Sequence, residues 1–160
     1  MIAKLLIAIL VVLPSLSFSL SANHEKSYTF LITASKTLLT KTDEKNVFLI
    51  TISSPNILYQ QDEVKKNTSL TGRYTTVEKF LSSWKQQQAP YHFFNGILSC
   101  SIGHENINET IGSQLSDPTY DKNNNTLTFI VKPFKNNKKM EKQTIIPCTS
   151  VWIIGFDGEL

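Results

Sequence analysis

Residues 117–134 combine a turn with a strongly alternating stretch, and together they predict a core strand. The five residues at 121–125, DKNNN, are all turn formers. After the turn, every second residue is apolar: Leu127, Phe129 and Val131. This period of two is typical of a strand that buries one face. We expect Pro118 to end the preceding element and residues 110–116 to form the other arm of a hairpin.

Similar alternation recurs along the chain and predicts seven or eight strands in total. The other segments are residues 27–34, 36–40, 46–53, 56–60, 95–102, 110–116 and 149–156. Residues 46–53 are apolar at both odd and even positions, so we expect that strand to be covered on both sides. In the last segment we expect Trp152, Ile154 and Phe156 to face inward.

One stretch changes from strand periodicity to helix periodicity. Val77, Phe80, Leu81 and Trp84 follow the i, i+3, i+4, i+7 spacing of an amphipathic helix. Thr75 and Glu78 predict a capping-box start, with the helix around residues 76–86. The sequence therefore predicts a mainly β fold: a seven- to eight-stranded antiparallel β-sandwich, or a flattened barrel, with one short α-helix. The aromatic stripe of the helix is typical of a face that packs on the core, and a ligand-binding groove is the alternative interpretation.

The N-terminus has the pattern of a cleaved secretory signal peptide at residues 1–22. Lys4 precedes an apolar run from Leu5 to Leu13, and small residues follow at the expected cleavage position. An uncleaved membrane anchor is the alternative, although the run is shorter than the roughly 20 residues a spanning helix needs. We expect residues 23–160 to form one domain without a transmembrane segment, exported to the periplasm or the extracellular space.

The charge balance narrows the class of partner. Removing residues 1–21 takes away one of the 16 basic residues, and the remaining 15 against 13 acidic residues give a net charge of +2. This charge is too small to predict nucleic acid as the main partner.

Two cysteines, Cys100 and Cys148, enter an oxidising compartment if the signal is used, and we predict a disulfide between them. Two buried free thiols are the alternative.

A lysine-rich segment follows the predicted core strand. It contains five lysines against the single acid Glu141, a local charge of +4: Lys132, Lys135, Lys138, Lys139 and Lys142. We expect these side chains to project from a loop with Met140 at its tip. Such a loop could contact a membrane of anionic lipid or an acidic glycan. A solvated loop that only aids solubility is the alternative.

The sequence identifies no catalytic, metal or cofactor site. The G-x-S-x-G elbow of serine hydrolases is absent. Three histidines, His24, His92 and His104, lack metal-ligand spacing. Carboxylates such as Asp117 and Asp121 could converge in space, but Asp and Asn beside a turn usually stabilise the turn.

The chain resembles a family of small exported bacterial proteins whose function is not established. The resemblance is carried by five segments in order: residues 28–34, 47–59, 75–84 (TTVEKFLSSW), 95–99 and 115–134 (LSDPTYDKNNNTLTFIVKPF). It implies a single β-sandwich domain, and the family has no established activity to carry over. The chain departs from the family pattern at residues 60–65.

These features favour an exported, non-enzymatic binding domain, acting as a monomer in the periplasm or outside the cell, such as a secreted bacterial factor. Its partner would be a protein, an anionic lipid or a glycan. A small secreted hydrolase and an envelope structural or maintenance protein are the alternatives. A pocket with a titratable cluster would favour the hydrolase, and an exposed aromatic surface would favour binding.

Overall fold

A computed structural model describes residues 27–62, 72–86, 93–102 and 108–157. The predicted signal peptide and the three histidines lie outside these ranges. The described part contains nine strands and two helices. The strands are β1 (Ser27–Thr33), β2 (Lys36–Lys41), β3 (Phe48–Ser53), β4 (Asn56–Asp62), β5 (Arg73–Thr75), β6 (Phe93–Ser101), β7 (Asn108–Asp121), β8 (Thr126–Pro133) and β9 (Ile145–Asp157). The helices are α1 (Val77–Gln86) and α2 (Lys138–Glu141).

The fold is mainly β and antiparallel, as predicted. Six strands pair in the order β2, β3, β8, β7, β6, β9, and β9 pairs again with β2, which closes them into a barrel. The sheet continues from β9 through β1 and β4 to the short strand β5. β9 can serve both parts because it is long: its first residues pair with β2, and its later residues pair with β1.

Helix α1 fills the core between the two parts of the sheet, which confirms the amphipathic helix. Phe80 packs edge-on against Phe30 of β1 with ring centroids 5.1 Å apart. Trp84 is only 1% exposed, and its ring centroid lies 5.5 Å from the ring centroid of Phe129 in β8. Val77, Phe80 and Trp84 of the helical stripe therefore belong to the core, and Leu81 is partly buried against it.

The N-cap of α1 lies one residue later than the sequence predicts. The hydroxyl of Thr76 accepts a hydrogen bond from the N–H of Lys79 at 3.2 Å, and its carbonyl accepts one from the N–H of Phe80. Thr76, and not Thr75, is therefore the N-cap. Thr75 is the last residue of β5, where it pairs with Ile57.

The hairpin between β7 and β8 is present, but Pro118 does not end the first strand. β7 continues to Asp121 because the pairing shifts between Ser116 and Thr119, which leaves Asp117 and Pro118 in a bulge. Asp117 has φ of 49°, a left-handed conformation that bends the strand. A bulge accommodates proline because it requires no regular ladder hydrogen bond from that residue.

Two predictions about strand faces were wrong. Leu49 of β3 is 38% exposed, so this strand is buried on one face only. In β9, Trp152 and Ile154 are exposed, whereas Val151 and Ile153 are fully buried. The side chain of Phe156 lies outside the described residues.

A bulge in β9 explains the reversed faces. Cys100 of β6 pairs with Cys148, but the preceding Ser99 pairs with Ser150, so Thr149 is an extra residue. The Thr149 hydroxyl donates to the Ser99 carbonyl at 3.3 Å. Because one inserted residue exchanges the two faces of a strand, Cys148 points inward while Trp152 points outward.

Two short elements, β5 and α2, are present in the structure but are not predicted by the sequence pattern. β5 lies outside the segments whose alternation predicts strands, and it brings the number of described strands to nine instead of seven or eight. α2 lies within the predicted lysine-rich loop. Both are too short to show a hydrophobic period, and each depends on contacts with distant parts of the chain.

Candidate functional site

The disulfide joins Cys100 of β6 to Cys148 of β9, as predicted. The two residues are direct partners in the ladder and both side chains are buried. The bond therefore fixes β6 to β9 next to the Thr149 bulge. It stabilises the part of the sheet in which Trp152 is turned outward.

The most continuous candidate surface is a row of apolar side chains on the outer face of the sheet. Paired residues in an antiparallel sheet share a face, so the register places one residue from each of five adjacent strands side by side. We call these residues the outer row: Tyr74, Leu58, Leu31, Trp152 and Ile97, from β5, β4, β1, β9 and β6.

The two aromatic members of the outer row are its most accessible residues. Tyr74 is 71% exposed and Trp152 is 40% exposed, whereas Leu31, Leu58 and Ile97 between and beside them are partly buried. A surface row of this kind presents aromatic rings supported by aliphatic side chains. Contiguous exposed apolar surface is a common feature of binding sites.

Phe134 extends the same surface beyond Ile97. Ile97 pairs with Gly112 of β7, and the N–H of Phe134 donates to the Gly112 carbonyl at 3.0 Å. A Cβ at Gly112 would lie 3.0 Å from the Phe134 ring, so the ring rests on the glycine. Because Gly112 has no side chain, the Phe134 ring can cover this position, which pairs with Ile97, while remaining 57% exposed.

The outer row is bordered by uncharged polar side chains. The border consists of the outward-facing positions two residues before and after the row member in each of β4, β1, β9 and β6, and two residues before and after Gly112 in β7, which together make ten residues. We call these ten residues the border: Asn56, Gln60, Thr29, Thr33, Ser150, Ile154, Asn95, Ser99, Thr110 and Gln114. Nine carry a hydroxyl or an amide, and none is charged, although 29 of the 160 residues are Lys, Arg, Asp or Glu.

The lysine-rich segment is more ordered than the predicted loop. Asn137 caps α2 by accepting a hydrogen bond from the N–H of Lys139 at 3.0 Å. Met140 is only 1% exposed and belongs to the hydrophobic core, so it anchors the segment and does not form its tip. Lys41 of β2 donates from its ammonium group to the Glu141 carbonyl at 2.8 Å, which attaches α2 to the barrel.

The predicted lysines remain exposed but differ in their partners. Lys139 forms an ion pair with Glu109 of β7, with 3.2 Å between Nζ and Oε1. Lys132 lies in β8 and pairs with Gln114, so it stands next to the border. Lys135, Lys138 and Lys142 are exposed in and around α2. The segment thus keeps four exposed lysines besides the one that holds Glu109.

A small cleft of about 180 Å³ lies between α1 and the bulge of β7. Leu81, Trp84 and Lys85 line it on the helix side, and Asp117, Pro118 and Thr119 line it on the strand side. The lining thus includes one acidic residue, Asp117, and one basic residue, Lys85. This pair lacks the second carboxylate that acid–base hydrolysis would use.

The Asp121 carboxylate accepts hydrogen bonds from residues of the turn that follows β7. It accepts hydrogen bonds from the Asn124 side chain at 2.6 Å and from the N–H of Asn123 at 2.9 Å. The Asn124 side chain lowers the pKa of the Asp121 carboxyl, and the backbone N–H groups of Asn124 and Asn123 lower it further. The Asp121 carboxylate is therefore engaged by hydrogen bonds within its own turn.

The described residues contain no group of three or more His, Cys, Asp or Glu side chains arranged to hold a metal ion. In the same ranges, neither helix has the length and the apolar character to cross a bilayer. The described part of the chain thus presents two candidate surfaces, the outer row and the lysine-rich segment.

Sequence reasoning missed the outer row because the row is assembled from five separate strands. A partial signal exists: Leu31, Leu58 and Ile97 are apolar at positions whose strand neighbours two residues away are polar. Only the strand order shows that these exceptions lie side by side.

No protein-family model matches the chain, and searches of curated proteins and of solved structures found no match.

Proposed function

We propose that the protein is an exported, non-enzymatic binding domain whose contact surface is the outer row. The observation that carries this proposal is the continuous apolar row with exposed aromatic rings at Tyr74 and Trp152. Aromatic enrichment and charge depletion are characteristic of the centre of a binding surface. The domain acts as a monomer in the periplasm or outside the cell.

Export is supported by two independent features. The N-terminal sequence has the charged start and apolar run of a secretory signal. The Cys100–Cys148 disulfide suits an oxidising compartment, because disulfides persist outside the reducing cytosol.

For the architecture, we propose a flattened barrel in which β9, β1, β4 and β5 form one broad layer. This arrangement presents the outer row on a continuous surface. The support is the branching of β9, which pairs with β2 in its first part and with β1 in its second.

Binding to envelope preparations and to intact cells, with and without substitution of the row, tests the function. We expect the double variant Tyr74→Ser/Trp152→Ser to lose binding that the wild type shows. The matched control is Leu49→Ser/Ile145→Ser, which removes two exposed apolar side chains outside the row. Equal binding by wild type and the row variant, or no binding by either, would contradict the proposal.

A second candidate contact is the lysine-rich segment. Its exposed lysines lie close in sequence to Phe134, and a basic surface with an exposed aromatic ring suits an anionic membrane. Each lysine near such a surface contributes about 1 kcal/mol at low salt. Lys132, Lys135, Lys138 and Lys142 could thus hold the protein on a bilayer.

Co-sedimentation with phosphatidylserine vesicles at low and physiological salt tests this second contact. The variant Lys135→Gln/Lys138→Gln/Lys142→Gln should lose the sedimentation. A triple variant of exposed lysines elsewhere, Lys45→Gln/Lys79→Gln/Lys85→Gln, should retain it. If both triple variants sediment equally, the segment has no specific role in lipid binding.

A further inference from the structure

The outer row and its border together have the chemistry of a carbohydrate site. We propose that this surface binds a neutral, linear oligosaccharide lying across the strands. The inference rests on the proposed function, in which this face is the contact surface, and adds the chemical class of the ligand.

The two kinds of side chain on this surface match the two kinds of surface on a sugar ring. A pyranose presents C–H groups on its faces and hydroxyls around its edge. The faces pack on aromatic rings by dispersion, as Trp152 and Tyr74 would allow. The hydroxyls need both donors and acceptors, because desolvating them without partners costs free energy. The amides of Asn95, Gln114 and Gln60 offer both.

The absence of charge in the border indicates that the ligand is neutral. A carboxylate, phosphate or ammonium group on a ligand would find no countercharge among the ten border residues. Burying an unpaired charge is far more costly than burying a hydrogen-bonded hydroxyl. The cation paired to the border is Lys132, one strand beyond Gln114, at the β7 end of the surface. An acidic polymer lying across the strands would therefore find this countercharge only at that end.

The dimensions of the surface favour a narrow ligand. From β5 to β7, the row together with Gly112 and the border crosses five strand spacings of about 4.8 Å, or about 24 Å, and the border spans four residue rises, or about 14 Å. The resulting area of about 330 Å² is less than half of the ~800 Å² that each partner buries in a typical stable protein complex. A second copy of this chain or a globular protein would need a wider surface.

An extended peptide is also a poor match. Peptides that add to sheets do so along an edge strand, where their backbone groups join the ladder. A peptide lying across the outer row would have to satisfy each backbone N–H and C=O from side chains alone. An oligosaccharide has no such backbone, so the scattered amides and hydroxyls of the border can serve its separate hydroxyl groups.

Titration of the isotopically labelled protein with hexasaccharides tests the proposal. The neutral probes are the hexamers of cellulose, xylan, mannan, starch and chitin, and the acidic probe is hexagalacturonate. The chain has two tryptophans, so each indole N–H gives one resonance. We expect at least one neutral hexamer to shift the Trp152 resonance while the buried Trp84 resonance stays in place.

Substitutions of Trp152 and Tyr74 test whether the affinity for the hexamer depends on the aromatic side chains of the row. Trp152→Ala and Tyr74→Ala should each weaken the affinity for that hexamer about tenfold, a loss typical of an aromatic anchor. Trp152→Phe should largely restore it, and Ile145→Ala, outside the row, should bind as the wild type does. Tyr74 is highly exposed, so its variant keeps the test valid if the Trp152 variant folds poorly.

Two results would overturn the inference: no shift of the Trp152 resonance with any neutral hexamer, or tighter binding of hexagalacturonate than of every neutral probe. If no sugar binds but the row variant still loses its binding to envelopes or cells, only the ligand class is wrong. If that cellular binding is also absent, the proposed function fails with it.

Discussion

Trp84 in α1 and Trp152 in β9 have opposite environments, although both belong to apolar patterns that predict burial. Trp84 lies in the core among Phe80, Phe94 and Phe129. Trp152 lies on the outer face between partly buried aliphatic neighbours. The difference shows that a helical stripe determines its own buried side, whereas the buried side of a strand depends on its register with its neighbours.

The largest expected effect comes from the buried member of this pair. Trp84→Ala should lower the free energy of unfolding by about 3 to 5 kcal/mol, because it leaves a large cavity among aromatic rings. For a domain of this size the loss is a large fraction of the total stability. Chemical denaturation measures it. A loss under about 1 kcal/mol would mean that α1 does not contribute to the core as described.

The disulfide should come next in magnitude. Cys100 and Cys148 are 48 residues apart, and closing such a loop stabilises a fold by about 4 kcal/mol on the chain-entropy model. The variant Cys100→Ala/Cys148→Ala should lose up to this amount in urea denaturation. An intact mass with and without reduction provides the control, since the wild type should show no free thiol before reduction. Two free thiols in the protein isolated under oxidising conditions would contradict the bond.

The exposed member of the pair should affect binding more than stability. Trp152→Ala removes only cross-strand contacts on the outer face, so it should lower the free energy of unfolding by about 1 kcal/mol or less. The same denaturation experiment compares it directly with Trp84→Ala. Equal losses for the two variants would show that Trp152 is part of the core.

The smallest effect concerns the turn that orients the β7–β8 hairpin. The lowered pKa of Asp121 means that its charged form is favoured in the folded state. Its contribution is therefore fully present above the unfolded pKa, and it is lost as the pH falls below about 4 and through the lower folded value. The variant Asp121→Asn lacks this contribution at neutral pH.

Thermal unfolding at a series of pH values tests the Asp121 contribution. The difference in melting temperature between wild type and Asp121→Asn should be largest near neutral pH and should shrink on acidification. A difference that does not depend on pH would mean that the charge of the carboxylate is irrelevant to the turn.

The sequence predicted the elements whose patterns are unbroken. The stripe of α1 and the alternation of β8 are confirmed because each lies within one continuous segment. The face of β9 was wrong because Thr149 inserts one residue, and nothing in the local sequence Cys-Thr-Ser marks a bulge. Asn137 could have signalled the start of α2, but the burial of Met140 depends on its position in the folded chain.

The two candidate surfaces also differ in how much of each can be predicted from the sequence. The lysine-rich segment is local in sequence, so its exposed charge was predicted while its helix was not. The outer row required the pairing of five strands, including β5, which has only three residues. The proposed function of the outer row therefore depends on the register that the β9 bulge sets.

Quenching of tryptophan fluorescence by acrylamide tests that register most directly. In the wild type we expect two populations, one readily quenched and one protected. The variant Trp152→Phe should retain only the protected population, which belongs to Trp84. If the wild type shows two equally protected tryptophans, or if Trp152→Phe leaves the readily quenched population in place, then Trp152 does not face outward and the outer row does not exist as described.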